Sequence, residues 1–292
     1  MTRMRGPEGR TAEPGTARPS LSAVVICRNE ARNLPGLLRS LTSWVDEIVV
    51  VDDMSDDASP EIAARAGGLV RVLRRPMTEA GYAGQRNAGI DAATGDWLLH
   101  LDCDERVTPA LAREIRARIR EPSANAFRYR RRNYFLHRPM RHGGWASWNR
   151  PQLARRGRHR FAGALHESCC VEGGEADIGQ LEGVVLHLNE ASFAERLAKS
   201  ARYVSMDADA LARSGARVGG PSLISAPLLA FAKRYVLQRG FLDGVPGLIA
   251  ALHSATAVFR TRALVWDRQN AIPREELERR ALQDGEEARS DA

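Results

Sequence analysis

Asp102 and Asp104 stand two positions apart at the end of the apolar run WLLHLD, with Cys103 between them and Glu105 behind. Side chains alternate along an extended chain, so this spacing predicts that Asp102 and Asp104 point one way and Cys103 into a core. Two neighbouring carboxylates repel each other, and a divalent cation removes that cost. Mg2+ and Mn2+ prefer such oxygen ligands and commonly share them with substrate phosphates. One Asp-x-Asp is a weak signal, because Asp after a strand often caps a turn or helix. Two further clusters follow apolar runs of the same kind: Arg28-Asn29-Glu30 after SAVVIC, and Asp52-Asp53 after EIVVV. Asp52 is placed to accept hydrogen bonds from a ribose or a base edge, or else to cap the turn Ser55–Asp57. Arg86, in GYAGQRNAGI, falls near the start of a helix, where a guanidinium beside free amide groups suits a diphosphate.

These clusters need elements to hold them. Strands are expected at 22–27, 47–52, 69–73 and 97–102, alternating with helices at 31–43, 59–66, 83–93 and 109–120. Thr108 and Pro109 supply an N-cap and a first-turn proline for the last of these. Strands alternating with helices indicate right-handed crossover units and a mostly parallel sheet flanked by helices, an α/β class. Ligands then bind outside the carboxyl ends of the strands, where all three clusters fall. After residues 125–130 the pattern reads as irregular and rich in Arg and Gly, up to about residue 188. Helices dominate again over 192–214, 223–239 and 243–262.

The chain has 292 residues and a net charge of +7. Residues 128–160 hold eleven arginines and no acidic residue, interleaved with Tyr129, Tyr134, Trp145 and Trp148. Guanidinium forks bind phosphates in pairs of hydrogen bonds, so the segment suits an anionic partner. A basic, aromatic surface also suits nucleic acid, but no nucleic-acid motif accompanies it. The four cysteines show no CxxC spacing, which argues against a zinc site or a disulfide framework and fits a reducing cytoplasm. Residues 1–20 lack the apolar stretch of a signal peptide and read as a flexible, disordered lead-in; residues 269–292 read as a charged tail. No apolar run approaches the roughly 20 residues that cross a bilayer. The stretches 223–232 and 245–259, flanked by Lys233, Arg234, Arg239, Arg260 and Arg262, fit helices lying on an anionic membrane surface and equally fit buried helices.

The segments VVICRNEARNLPGLLRSL, DEIVVVDDMSDDASPEIA, GQRNAGI and GDWLLHLDCDERV resemble glycosyltransferase family 2, whose fold is GT-A. The stretches RRNYFLHRPMRHGGW, FAGALHES, LHLNEASFAERLAKSARY and KRYVLQRGFLDGVPGLIAALHSATAVF resemble the lipopolysaccharide core β-1,4-glucosyltransferase-like branch more particularly. The likeness spans about residues 21–268. It implies a GT-A catalytic domain over 21–190, with a nucleotide-sugar half at 21–105 and an acceptor half at 106–190, followed by a helical region at 191–268. It further implies that Asn29, Glu30, Asp52, Asp53, Arg86 and Asp102 line the donor pocket, and that Asp102, Asp104 and His187 approach a Mn2+ or Mg2+ ion. His187 could equally be a packed core histidine. His166 and Glu167 would face the acceptor, with Glu167 the base; Asp104 and Glu105 are the alternative bases. Arg131, Arg132, Arg141, His142, Trp145 and Trp148 would hold the acceptor. Two departures stand out: Cys103 replaces the more usual Ala between the aspartates, and DDMSDD replaces a Gly-Ser-Thr-type turn. The activity expected is inverting transfer of a hexose, glucose foremost, from a UDP-sugar to lipopolysaccharide core or another cell-envelope glycan. A polyprenyl phosphate acceptor and, more remotely, a basic nucleic-acid-binding role are the alternatives. The expected location is the cytoplasm, with peripheral contact to the inner membrane left open.

Overall fold

A computed structural model describes residues 18–163, 167–188, 190 and 192–290, with side chains to residue 283. The chain divides into two compact units, Met1–Arg131 with Trp148–His187, and Arg132–Ser147 with Leu188–Ala292.

The first unit begins with the expected alternation: β1 (Leu21–Cys27), α1 (Leu34–Leu41), β2 (Glu47–Asp52), α2 (Ser59–Arg65), β3 (Val70–Arg74), α3 (Gly81–Ala92) and β4 (Trp97–Asp102). These four strands are parallel in the order β3-β2-β1-β4. Their register sets Cys27 beside Asp52 and Ile26 beside Asp102, so the ends of β2 and β4 flank the end of β1. Apolar side chains leave both faces of these strands, as burial under helices on each side requires. Leu34, Leu37 and Leu41 of α1 and Leu111 and Ile115 of α4 (Pro109–Arg118) join one core layer; Ala83 and Ile90 of α3 join the other with Val24, Val49 and Val51. Thr108 caps α4, its side chain accepting from the Leu111 amide at 3.3 Å.

The described residues between Arg130 and Leu188, expected to be irregular, are mostly strand. Their strands are β6 (Ala126–Phe135), β7 (Arg138–Pro139), β8 (Asn149–Arg155), β9 (His159–Ala162), β10 (Ser168–Val171) and β11 (Ile178–His187), after a short β5 (Glu105–Val107). The sheet continues past β4 as β8, β6, β11 and β5, with β8 antiparallel to both β4 and β6, and β5 antiparallel to β11. Such strands bury one face only, so apolar residues alternate with polar ones. In β6 the buried Phe127 and Tyr129 alternate with arginines, and the arginine run conceals that period of two.

In the second unit, α5 (Phe193–Arg213), α6 (Gly220–Ala232), α7 (Gly244–Asn270) and α8 (Arg274–Ser290) follow one another. A π-helical turn at Lys233–Leu237 and a 3-10 turn at Gly240–Asp243 join α6 to α7. Phe135, Met140 and Ala250 form one small core with Trp145 and Phe193 beside it; Ala208, Val218 and Val265 form another. The region Gly240–Asn270 is, by length and composition, long and apolar enough to cross a membrane, contrary to the expectation from its interrupted runs. Pro246 sits in the first turn of α7, where proline breaks nothing, so the helix runs on through it.

Candidate active site

The ends of β1 and β2 interlock through their loops. Asn29 adopts a left-handed φ of 54°, and its amide donates to Ser55 Oγ at 2.9 Å while its Oδ1 accepts from the Asp56 amide at 3.0 Å. The Glu30 amide donates to Ser59 Oγ at 2.8 Å, and Glu30 Oε2 accepts from Asn33 Nδ2 at 2.7 Å. Asp52 is fully buried and accepts from the Ser55 amide at 3.1 Å, Ser55 Oγ at 2.5 Å and Arg74 Nε at 3.2 Å. Asp53 accepts from the Met77 amide at 2.6 Å and Arg28 Nη1 at 2.7 Å. Asp52 therefore builds the turn that DDMSDD forms, with Ser55 as its pivot, while Asp53 ties that turn to Met77 and Arg28. Asn29 itself remains exposed on the rim.

The end of β4 is organised differently. Arg86, only 3% exposed, donates from Nη2 to Asp102 Oδ1 at 2.6 Å and from Nε to Glu167 Oε1 at 3.0 Å. Its Nη1 is buried without a hydrogen-bond partner among the described residues. Arg131 completes the array from β6, with Nη2 3.2 Å from Asp102 Oδ2 and 2.6 Å from Glu105 Oε1. The Arg131 guanidinium lies over the Trp148 ring at 4.1 Å, which fixes its plane. Burial alone would raise the pKa of Asp102, but Arg86 and Arg131 outweigh it and hold the carboxyl well below its usual range. Burial opposes the charge on Arg86 too, and there Asp102 and Glu167 win. Glu105 is sealed in, accepts from the Asp102 amide at 2.9 Å, and is pushed above the ordinary carboxyl range by burial against the pull of Arg131. Asp102 keeps 31% of its side chain accessible, so the array is open on one side.

The geometry of α3 explains how Arg86 reaches this position. A Cβ on Gly89 would lie 2.2 Å from Val24 Cγ1 and 3.1 Å from Val51 Cγ2, so only glycine lets the helix rest this close to the sheet. Asn87 ties α3 to β9, donating to the Phe161 carbonyl and accepting from the Phe161 amide, each at 2.9 Å. Phe161 in turn lies beneath the Arg86 guanidinium at 5.4 Å and edge-on to His100 at 4.7 Å. His100 and His159 share a short contact, Nε2 to Nε2, at 2.8 Å in the core. Burial lowers the pKa of His100 well below its ordinary value and pushes His159 down to about 4, so both rings are neutral and one donates to the other. Asn87, His100 and His159 were not singled out from sequence; the helix-facing placement of Asn87 beside Arg86 was the available signal.

The expected common orientation of Asp102 and Asp104 does not arise from strand alternation. The strand ends at Asp102 and a turn occupies Cys103-Asp104, with Cys103 buried. Asp104 Oδ2 instead meets His187 Nε2 at 3.1 Å. One carboxylate and one imidazole in contact fit a divalent ion of the Mn2+ type, which keeps other positions for water or phosphate oxygens. Among the described residues no three His, Cys, Asp or Glu side chains converge into a closed cage, and Asp102 is taken up by arginines.

The residues expected to hold an acceptor are divided between the units. Arg131 belongs to the first, where its Nη2 meets Asp102 and Glu105 and its guanidinium lies over Trp148, so it is a member of the charged array. Arg132 and Arg141, in the second, are exposed. His142 Nδ1 is 3.0 Å from Asp243 Oδ1, and the Arg141 and His142 amides donate to the same carboxylate. Gly143 and Gly144, both at positive φ, pack against the turn at 238–240, with the Gly143 amide donating to the Gln238 carbonyl at 2.9 Å. The motifs HGGW and RGFLDG thus fasten to each other. Trp145 stacks on Phe135 at 5.5 Å with Arg196 beside it. His166 lies outside the described residues.

The profile for Glycosyl transferase family 2 matches residues 22–175. The lipopolysaccharide core biosynthesis glycosyltransferase LpsC of Rhizobium meliloti is 30% identical over 257 residues, covering 85% of this chain and 92% of that protein. An uncharacterized glycosyltransferase of Rickettsia felis is 25% identical, covering 88% of this chain and 94% of its own. Among solved structures, S. aureus TarS 1–349 in complex with UDP-GlcNAc superposes with a TM-score of 0.45 at 16% identity, over 87% of this chain and 93% of that one.

Proposed function

This chain belongs to glycosyltransferase family 2, with the GT-A fold, and on that premise we propose that it transfers a hexose from a UDP-sugar to lipopolysaccharide core with inversion. The observation that carries the reading is Arg86, a buried guanidinium held between Asp102 and Glu167 with its Nη1 amino group unpartnered among the described residues. A nucleoside diphosphate supplies the anionic oxygens that such a donor lacks. Asp102, facing the open side, accepts hydrogen bonds from the donor's hydroxyl groups. Asp104 and His187 would hold a divalent cation, which when bound neutralises charge on the departing diphosphate.

The reaction is a single displacement. The acceptor oxygen forms a bond to the anomeric carbon, the bond from that carbon to the diphosphate breaks, and the acceptor's proton passes to a carboxylate. Glu167 is the base in this reading. Glu105 is sealed behind Arg131 and Asp104 is engaged by His187, which leaves Glu167, held by a guanidinium that the diphosphate itself would draw away. Positioned base catalysis of this type contributes roughly 10²–10⁴-fold. A lipopolysaccharide-core acceptor is favoured over a polyprenyl phosphate by the likeness to LpsC. The four cysteines are free thiols, in keeping with work in the reducing cytoplasm.

A thermal-shift panel of UDP-, GDP- and dTDP-sugars with and without Mn2+ tests the donor. A selective rise with one UDP-sugar, larger with Mn2+, is the expected result, since a ligand that binds only the folded state raises its apparent stability. No shift with any nucleotide sugar, with or without metal, sinks the reading.

A further inference from the structure

The joint between α6 and α7 carries an unusual load of exposed apolar side chains. Val236, Leu237, Phe241, Leu242 and Val245 fall within ten residues and all are exposed, Leu237 at 77%. Ile224, Leu228 and Leu229 extend the same character along α6. The joint is rigidly built, with Phe231 stacked on Tyr235 at 5.1 Å and Tyr235 edge-on to Phe241 at 6.2 Å, so these side chains are not the residue of a loose loop. Exposed apolar area on this scale, concentrated at the turn of a helical hairpin, marks a surface that meets something other than water.

The surrounding charge says what. From residue 210 to residue 266 the sequence has seven basic residues and one acidic residue, Asp243. That acid is buried and spent on His142 and the amides of Arg141 and His142, so it offers no negative charge outward. Lys233 and Arg239 flank the apolar joint and are exposed. We infer that the α6–α7 joint inserts its apolar side chains into the headgroup boundary of an anionic membrane, with Lys233 and Arg239 on the lipid phosphates. A second copy of the chain is the poorer occupant, because a two-fold contact would bring the same cations against each other.

The hairpin lies on the membrane and does not cross it. α7 is long enough to span, but its other face is in use: Ala251, Ala255 and Val265 are buried, and Arg260 Nη2 donates to Ser200 Oγ of α5 at 2.9 Å. Spanning would strip these contacts and place Arg260 and Arg262 in hydrocarbon. This inference stands apart from the choice of donor and acceptor, and its test needs no turnover.

The test is co-sedimentation of the full chain with vesicles of phosphatidylcholine alone, or with 30% phosphatidylglycerol, chosen to mimic a strongly anionic surface. Binding to the anionic vesicles at least tenfold tighter than to neutral ones, released by a high-salt or carbonate wash, is expected. The paired variant Leu237→Asp/Phe241→Asp should lose that binding at least tenfold, and Lys233→Glu/Arg239→Glu should lose the preference for anionic lipid. Both should melt cooperatively and keep their thermal response to the nucleotide-sugar panel, which separates lost docking from lost fold; a milder Leu237→Ser/Phe241→Ser pair covers any variant that does not fold. Equal binding by wild type and folded variants overturns the inference, as does resistance to the carbonate wash, the mark of a spanning helix. So does a dimer in light scattering that Phe241→Asp dissolves while wild type ignores the vesicles.

Discussion

Two strands of one sheet, set on either side of β1, end in acidic residues and use them in opposite ways. At the end of β2, Asp52 and Asp53 are satisfied chiefly by backbone amides and a serine hydroxyl, with one arginine each. At the end of β4, Asp102 is met by guanidinium groups from two elements, and its partner Glu167 by one of them. A carboxylate that accepts from backbone amides is part of the chain's own geometry and cannot let go without unfolding a turn. A carboxylate balanced by arginine side chains can exchange them for another ion at modest cost, because the guanidinium finds a new anion in the ligand. The first arrangement is scaffolding and the second is exchangeable.

The sharpest way to break this contrast is Arg86→Met. Removing the guanidinium strands Asp102 and Glu167 together, and losing one partner of a buried pair costs about 3–5 kcal/mol. Sugar transfer, followed as UDP release, should fall by roughly 10³-fold or more. If urea unfolding moved by that amount while donor affinity stayed at the wild-type value, Arg86 would be scaffolding as well.

A paired comparison comes next. Asp102→Asn should cut turnover by about 10²–10³-fold with little change in unfolding midpoint. Asp52→Asn should do the reverse, costing about 1–2 kcal/mol of stability and under about tenfold in turnover. The opposite assignment of effects, read by kinetics and urea unfolding on both variants, would erase the distinction.

The packing beneath β4 supplies a pH test that β2 lacks. His159 titrates near 4 in the folded chain because burial disfavours its charged form, whereas the unfolded chain titrates near 6.5. Its contribution is therefore complete above about pH 6.5 and declines as pH falls toward 4, by about 3 kcal/mol in all. Urea unfolding between pH 7 and 4 should show that slope, and His159→Gln should reduce it while buried His100 keeps its own share; an unchanged slope would mean the imidazole contact is not what the acid attacks. The smallest effect belongs to Ser55→Ala, which takes the hydroxyl from Asp52 and should cost about 1 kcal/mol with the donor KM unaltered.

Much of this was legible in the sequence, for reasons the structure makes plain. Strands buried on both faces read as unbroken runs of Val, Ile and Leu, so β1, β2 and β4 and the clusters at their ends were placed from composition alone. Arg86, Asp102 and Glu167 were each singled out, but nothing in their spacing tells that one guanidinium binds both carboxylates, since 16 and 81 residues separate the pairs. Arg131 was expected at an acceptor, and its contacts with Asp102, Glu105 and Trp148 were not legible, because an arginine within a run of arginines does not announce its partners. The turn at Cys103-Asp104 was not legible, because an apolar run does not mark the residue at which its strand stops. The HGGW and RGFLDG stretches were legible only as marks of resemblance, and the structure shows each engaged by the other through His142, Asp243 and the Gly143 amide.

Gly89 has an implication for how far this sequence can drift. The missing methyl group sets how deep α3 lies, and three residues earlier α3 delivers Arg86, so the reach of the guanidinium depends on two valines of neighbouring strands. A replacement at this spot is tolerable only alongside a trimmed side chain at Val24, with a smaller adjustment at Val51. These three positions should therefore vary as a set among descendants of this chain, and Val24→Ala is the natural suppressor to seek for Gly89→Ala.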